Sequence, residues 1–271
     1  MTRSMWRIAC LLALLAFPAH ALPKDFVVEA RGQFTAGGLV VLRLKPETRV
    51  FLDGAELAQT DGLAVLGFDR DAPATAQLTF TRGAMRAHHD ITLTARQFDE
   101  ERIDGLPPAL VTPPPEALER IRRQAAAKRA ARETLRLESD FAAGFRWPLK
   151  GRVSGVYGSR RFYNGIPRRP HYGLDIAAPA GTPVVAAASG RITLAAPDMY
   201  FEGGLVFIDH GLRLTSAYLH LKELKVNVGE AVAAGQVIGT VGSTGRSTGP
   251  HLDWRVFWNG RHIDPSLLVS D

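Results

Sequence analysis

The sequence contains very little cysteine. Cys10 is the only one among 271 residues, and it lies in an N-terminal segment that we predict to be a cleaved signal. Without further cysteine the chain can form neither internal disulfides nor thiolate metal sites, although domains of this size do not need disulfides. A tightly held transition metal would therefore require histidine and carboxylate ligands. Neutral imidazole with carboxylate suits zinc, and an open fourth position makes such a site hydrolytic.

Other absences exclude further classes of function. The chain has no P-loop, no dinucleotide-binding fingerprint and no H-E-x-x-H motif. The Gly-rich run G-S-T-G-R-S-T-G-P (242–250) lacks the lysine of a P-loop and leads into a strand, so we interpret it as a tight loop that brings backbone close to a substrate. The net charge is +6, or +4 without the two arginines of the predicted signal, and the latter is mild. Arginines are not interleaved with aromatics, so we expect no nucleic-acid partner.

The N-terminus has the features of a secretory signal. Arg3 and Arg7 give it a basic start, an apolar run follows, and Ala19-His20-Ala21 is a small-x-small cleavage site. The apolar run is too short to span a membrane. We therefore predict a signal peptide over 1–21 and an exported protein, periplasmic or in the cell envelope, with no membrane span after cleavage.

The remainder is predicted to be mainly β, in two domains. Residues 22–104 contain short apolar runs separated by turn signals, and K-P-E-T-R-V-F-L-D-G-A-E-L resembles the edge of an immunoglobulin-like β-sandwich. Residues 105–144 form a Pro-rich connector, expected to be extended, and a linker helix from Glu116 to about Leu137. That helix is either solvated and packed on one side or a basic arm that contacts the cell wall or a partner. Residues 145–271 are predicted to be an antiparallel β domain with a groove.

Two pairs of metal-binding residue types lie close together in the C-terminal half. His251 and Asp253 are at i and i+2 in a stretch rich in aromatic residues, which predicts a strand on which both point the same way. His171 and Asp175 are at i and i+4, but Gly173 and nearby prolines argue against a helix. Four extended residues span about 13 Å, so the chain must bend near Gly173 if both residues bind one ion.

These residues lie in motifs of a known family. Residues 145 to 268 resemble the catalytic domain of lysostaphin-type (LytM-like) zinc endopeptidases, which cut the peptide cross-bridges of peptidoglycan. The resemblance covers nearly half of the chain. It rests on H-Y-G-L-D-I-A-A-P-A-G-T-P-V (171–184), I-D-H-G (208–211), A-Y-L-H-L (217–221) and G-Q-V-I-G-T-V-G-S-T-G-R-S-T-G-P-H-L (235–252).

The resemblance implies a role for each site residue. His171 and Asp175 would bind one zinc ion per chain, and His220 and His251 would be catalytic. The family's third ligand is normally a histidine two residues after the last of these; this chain has Asp253 there, and we expect it to be the third ligand. One catalytic histidine would take the proton of the attacking water, and the other would stabilise the oxyanion or protonate the leaving amine.

Two expectations concern the surroundings of the site. Tyr218 should share a strand face with His220, two residues away. Four arginines precede His171 in a loop that contains Pro and Gly, and they either bind carboxylates of a stem peptide or belong to a solvated loop. These are Arg160, Arg161, Arg168 and Arg169.

The function predicted from these features is an exported zinc endopeptidase that hydrolyses peptide cross-links of peptidoglycan. Its partners would be peptidoglycan stem peptides, with other wall enzymes or cell-division proteins as further candidates. One alternative is a non-catalytic LytM-like module that binds peptidoglycan or activates a separate wall hydrolase. A second alternative is a structural, carbohydrate-binding wall protein in which the histidines are incidental.

Overall fold

The chain is built largely of β-strands, which confirms the predicted mainly β class. The structure, a computed structural model, describes residues 22–106 and 108–270. The predicted signal peptide, residues 1–21, lies outside these ranges. None of the helices within them combines the length and the apolarity that a membrane crossing requires.

The N-terminal module is a pair of antiparallel sheets. Its strands are β1 Val27–Gly32, β2 Leu39–Leu44, β3 Arg49–Leu52, β4 Ala55–Glu56, β5 Gln59–Thr60, β6 Leu63–Gly67, β7 Thr75–Arg82 and β8 Met85–Thr92. The orders are β1–β2–β6–β5 and β4–β3–β7–β8. Leu42 and Leu66 of the first sheet and Phe80 of the second are fully buried in one hydrophobic cluster. Burial of these side chains holds the sheets together. The immunoglobulin-like assignment stays a prediction.

A short strand and two helices connect this module to the rest of the chain. They are β9 Glu100–Ile103, α1 Pro108–Val111 and α2 Leu118–Glu133, the last preceded by a 3₁₀ turn at Pro115–Ala117. The connector is therefore not extended throughout as predicted. Pro108 fixes the first φ angle of α1, and its carbonyl accepts a hydrogen bond from Thr112 N at 2.8 Å.

Helix α2 lies against one side of the C-terminal domain and buries no residue completely. Mainly polar contacts hold it in place. The Gln124 side chain donates to Asp198 O and accepts from Tyr200 N, and Lys128 forms an ion pair with Glu202. This arrangement agrees with the interpretation of a solvated helix packed on one side.

The C-terminal domain is organised around a ten-stranded sheet. Its strands are β10 Arg152–Gly155, β13 Leu174–Ala177, β14 Pro183–Val185, β15 Gly190–Met199, β16 Gly203–Asp209, β17 Leu214–Leu224, β18 Ala231–Val232, β19 Val237–Val241, β20 His251–Trp258 and β21 Arg261–Ile263. The central order is β10–β13–β20–β17–β16–β15–β18. All pairs within it are antiparallel, as predicted. A 3₁₀ turn at Pro265–Leu267 follows β21.

A smaller sheet joins the connector to this domain. Strand β11 Arg160–Tyr163 pairs antiparallel with β12 Ile166–Pro167 and parallel with β9. Arg161 lies opposite Glu101 of β9. The segment just before the proposed site is therefore attached to residues that follow the N-terminal module in sequence.

The large sheet has two faces of different character. Along β20, Leu252, Trp254 and Val256 point into the main hydrophobic cluster, which also contains the N-terminal module's core, and we call this the core face. The alternate residues His251, Asp253, Arg255 and Phe257 point to the other side, which we call the site face. Phe257 belongs to a separate small apolar cluster there, against which Ala131 of α2 packs.

Candidate metal centre and active site

Three proposed ligands meet where β13 and β20 pair. Asp175 lies directly opposite Asp253 in the antiparallel ladder, and side chains at directly opposed positions on one face are close neighbours. The chain bends at Gly173, just before β13 begins at Leu174. His171 Nε2 consequently comes within 3.2 Å of Asp175 Oδ1. One ligand atom from each of His171, Asp175 and Asp253 lies within 4.8 Å of the other two.

Two glycines make room for the carboxylates. A Cβ atom on Gly173 would collide with Asp253 Oδ1, and one on Gly155 would collide with Asp175 Oδ2. Gly173 therefore serves both the bend and the close approach of its own strand to the carboxylate of the neighbouring strand. The bend that the spacing of His171 and Asp175 required is present in the structure.

The unsatisfied atoms of this cluster fit a metal ion. His171 and Asp175 are buried, and neither His171 Nε2 nor Asp175 Oδ1 makes a hydrogen bond, although they are 3.2 Å apart. Buried polar atoms normally have hydrogen-bond partners. An imidazole nitrogen and a carboxylate oxygen that face one point, with a second carboxylate beside them, form a donor set that zinc accepts.

Two arginines neutralise the carboxylates from the outside. Arg161 Nη2 donates to Asp175 Oδ2 at 2.6 Å and leaves Oδ1 facing His171. Arg255 donates to Asp253 from both Nε and Nη2, at 3.0 and 2.5 Å. Burial would raise the pKa of Asp175, but His171 and Arg161 hold it well below its usual range. Burial likewise opposes ionisation of Asp253, and Arg255 lowers its pKa. Both groups are therefore carboxylates at neutral pH.

His220 and His251 lie beside the cluster. Their ring centroids are 4.8 Å apart, and His251 Nε2 is 3.8 Å from Asp175 Oδ1. His220 reaches the site through an irregularity of β17, where the register with β16 shifts and His220 has a positive φ of 64°. A non-glycine residue in this conformation is strained, and such strain is found at functional sites.

The expectation that Tyr218 shares a face with His220 is wrong. Tyr218 lies opposite Trp254 of the core face, and its hydroxyl accepts a hydrogen bond from Ala187 N on that side. The bulge in β17 breaks the alternation of side chains between these two positions. His220 consequently turns toward His251 on the site face.

The Gly-rich loop 242–250 orients both histidine rings. His220 Nδ1 is 2.8 Å from Thr244 O, and His251 Nδ1 is 2.8 Å from Gly249 O. A carbonyl oxygen only accepts, so each Nδ1 must carry the proton and each neutral ring has its lone pair on Nε2. Burial lowers the pKa of His220 to about 4, with Asp253 opposing that shift. His220 is therefore neutral at neutral pH.

Comparison with known proteins places the chain in a family. The model of peptidase family M23 matches residues 169–265. A crystal structure of an M23 peptidase candidate from Pseudomonas aeruginosa has 30% sequence identity and a TM-score of 0.66, over 87% of this chain and 95% of that one. The chain belongs to peptidase family M23. The predicted resemblance to lysostaphin-type peptidases is thereby confirmed.

Two relatives of this M23 chain carry the names of peptidases. It is 41% identical over 118 residues to peptidoglycan DD-endopeptidase ShyC of Vibrio cholerae, a match that covers 43% of this chain and 27% of ShyC. It is 42% identical over 114 residues to DD-carboxypeptidase/endopeptidase Mpg of Neisseria meningitidis, covering 42% of this chain and 26% of Mpg. The matches thus span only about a quarter of the length of these relatives.

The M23 motifs did not reveal every residue that shapes the site. Arg255 could have been found from the sequence, because it follows His251 and Asp253 at the same i+2 spacing. Arg161 was predicted either to bind a stem-peptide carboxylate or to lie in a solvated loop, yet it is buried and bonded to Asp175 and to Glu101. Glu101 is sixty positions away from Arg161 in the sequence, and no sequence pattern linked it to the site. Arg161 is therefore an interior residue of the site that holds the Asp175 carboxylate.

Proposed function

We propose that this chain is an exported, zinc-dependent endopeptidase that hydrolyses peptide cross-links in peptidoglycan. The observation that carries the proposal is the pair of buried, unbonded ligand atoms, His171 Nε2 and Asp175 Oδ1, beside Asp253 and two histidines oriented by backbone carbonyls. ShyC, which is named a peptidoglycan DD-endopeptidase, supports the substrate class, and Mpg, named a DD-carboxypeptidase/endopeptidase, supports the reaction. Export rests on the signal predicted over 1–21.

The residues of the site would have three roles: metal binding, proton transfer and positioning of the ligand carboxylates. His171, Asp175 and Asp253 would hold the metal, which when bound polarises a carbonyl and acidifies a water ligand. In the neutral form of each ring, Nε2 of His220 and Nε2 of His251 are unprotonated, because Nδ1 donates to a carbonyl. One accepts the proton of the attacking water, and the other, once protonated, stabilises the oxyanion or gives its proton to the leaving amine. Arg161 and Arg255 keep both ligand carboxylates ionised and in position.

Zinc content and wall digestion test this proposal together. The purified full chain should contain about one zinc per chain by elemental analysis and should release peptides from purified peptidoglycan, identified by mass. His171→Ala should lose both properties and keep the fold by circular dichroism, because it leaves two ligands. Normal zinc content and activity in that variant would remove His171 from the site. Peptidoglycan left intact by the zinc-loaded parent chain would refute the endopeptidase assignment.

One observation favours the second candidate, a non-catalytic LytM-like module. Arg255 already binds both oxygens of Asp253, and an ion pair there could take the place of a metal ligand. In that case the parent chain would contain no zinc and would still bind peptidoglycan in a pull-down experiment. Zinc binding that appears only after Arg255 is replaced would support this candidate.

A further inference from the structure

A cavity rich in arginine lies next to the proposed metal centre. It has a volume of about 460 Å³ and lies between helix α2 and the site face of the large sheet. Its floor is apolar and includes Leu205, Phe207 and Phe257. Its walls are basic side chains from α2, from β11 and the loop before His171, from the Gly-rich loop 242–250 and from β20. These are Lys128, Arg129, Arg132, Arg161, Arg168, Arg169, Arg246 and Arg255. We call this space the basic cavity.

The basic cavity adjoins the space that holds the catalytic histidines. A second cavity of about 340 Å³ is lined by Asp175, His220 and His251. Arg161 and Tyr163 line both cavities, as does Arg246. His171, a proposed metal ligand, forms part of the wall of the basic cavity. A peptide held at the histidines can therefore extend past these shared side chains into it.

The positive charge of the basic cavity is only partly neutralised by the protein. Glu202 is the one acidic residue in its lining and is already paired with Lys128. Arg161 and Arg255 are bound to the two ligand carboxylates. The remaining charge must be balanced from outside the lining, and a cationic enclosure with low-dielectric walls concentrates anions.

Three of these arginines lack a carboxylate partner within residues 22–106 and 108–270: Arg132, Arg168 and Arg169. Arg132 lies over the ring of Phe257, with its guanidinium carbon 4.3 Å from the centroid. Burial, and then the nearby charge of Arg255, lower its pKa. Arg168 donates from Nη2 to Val111 O, while its Nε is buried and makes no hydrogen bond. An anion would satisfy both the charge and this donor.

We propose that the basic cavity is a subsite for a free carboxylate of the peptide substrate, with Arg132, Arg168 and Arg169 as its anchors. Guanidinium groups bind carboxylates through paired hydrogen bonds, and the apolar floor suits the aliphatic part of a peptide. The volume lies within the range of small-ligand sites, about 300–1,000 Å³. The inference rests on the proposed function, since it assigns the ligand class from the adjoining catalytic histidines.

Binding without turnover tests the subsite separately from the function. The full chain carrying His220→Ala, kept in chelator so that no metal can hold a carboxylate, is titrated by calorimetry with purified stem peptides. One peptide sample has free carboxylates and the other has them amidated. Amidation should weaken binding about tenfold or more, the loss expected for a charge-assisted hydrogen bond. Adding Arg132→Gln and Arg169→Gln should remove this difference. Adding Arg122→Gln, an exposed residue of α2 outside the cavity, should leave it.

Three results would overturn the subsite. Equal binding of free and amidated peptides would show that no carboxylate is recognised. An unchanged preference in the Arg132→Gln, Arg169→Gln protein would place the recognition elsewhere. Inorganic phosphate that binds more tightly than the free peptide and displaces it would identify a phosphate site. Failure of the proposed function gives a different pattern, in which the parent chain does not digest peptidoglycan while the preference for free carboxylates persists.

Discussion

Strand β20 presents residues of different character to the two faces of the large sheet. On β20, Leu252, Trp254 and Val256 are completely buried on the core face, where they join the hydrophobic cluster shared with the N-terminal module. Three of the alternate positions on the site face, His251, Asp253 and Arg255, hold groups that each bond to a specific polar partner. Burial thus stabilises one face, while hydrogen bonds and charge organise the other. Substitutions on the two faces should separate stability from activity.

The largest effect is expected for His220→Ala on the site face. Loss of a proton-transfer group typically costs about 10²–10⁴ in rate. Hydrolysis of peptidoglycan, measured as soluble peptide release, should fall by that factor while zinc content and melting temperature stay at the parent values. His88→Ala, in the N-terminal module, is the matched control. Zinc lost together with activity would mean that His220 is a ligand.

Ile208→Ala tests the core face. Ile208 is fully buried in the main cluster, and truncation of a buried isoleucine to alanine costs about 2–5 kcal/mol. Denaturant unfolding should show this loss, while the rate of hydrolysis at a temperature well below the melting point should match the parent. A large fall in activity of the still-folded protein would show that the faces are not independent.

The core face also contains buried polar side chains that are hydrogen-bonded to one another, and the histidine among them predicts a pH dependence of stability. His210 is held by Ser189 O at 2.6 Å and Ser216 Oγ at 2.8 Å, and burial lowers its pKa to about 4. The unfolded chain, with a histidine pKa of about 6.5, takes up the proton first as the pH falls. The contribution of His210 to the free energy of unfolding should therefore be fully present above pH 6.5 and should decrease by about 3 kcal/mol as the pH falls to 4.

Replacing His210 should flatten this dependence. Buried His220 and half-buried His262 also have lowered pKa values, about 4 and about 3, so a part of the slope should remain. Unfolding free energies of His210→Asn and the parent, measured at pH 7.5 and pH 4.5, give the comparison. An identical decrease in the two proteins would show that His210 is not the titrating group.

The smallest effect is expected for Arg255→Gln on the site face. Arg255 orients Asp253, and loss of a group that orients a metal ligand typically weakens metal affinity about 10–100-fold. Zinc dissociation constants measured by competition with a chelator should show this weakening, and Arg122→Gln should have the parent value. Tighter zinc binding by Arg255→Gln would mean that the arginine competes with the metal, as in the non-catalytic candidate.

Local patterns predicted those parts of the site that depend on backbone periodicity. The shared face of His251 and Asp253 follows from strand alternation, and the bend at Gly173 follows from the reach of an extended chain. Alternation failed at His220 because one bulge reverses the direction of a side chain, and the sequence of β17 carries no mark of it. The ion pairs of Arg161 depend on contacts across 14 and 60 positions, which local patterns do not encode.

The prediction of the connector failed for a related reason. Its prolines indicated an extended segment, but proline also fits the first turn of a helix, and the chain uses it that way at Pro108–Val111. The pairing of β9 with β11 was invisible because each strand is only four residues long. The fold class survived these errors, since it depends on the longer strands of both modules.

The Gly-rich loop couples the orientations of the His220 and His251 rings. Thr244 O and Gly249 O belong to the same short segment, so a shift of that segment alters the orientation of both rings at once. Each ring also exchanges protons through one atom only, because its other nitrogen is occupied by a carbonyl. The orientations of the two rings are therefore coupled, and each ring contributes one proton-exchanging nitrogen. A change in the length of the loop should abolish hydrolysis rather than reduce its rate gradually.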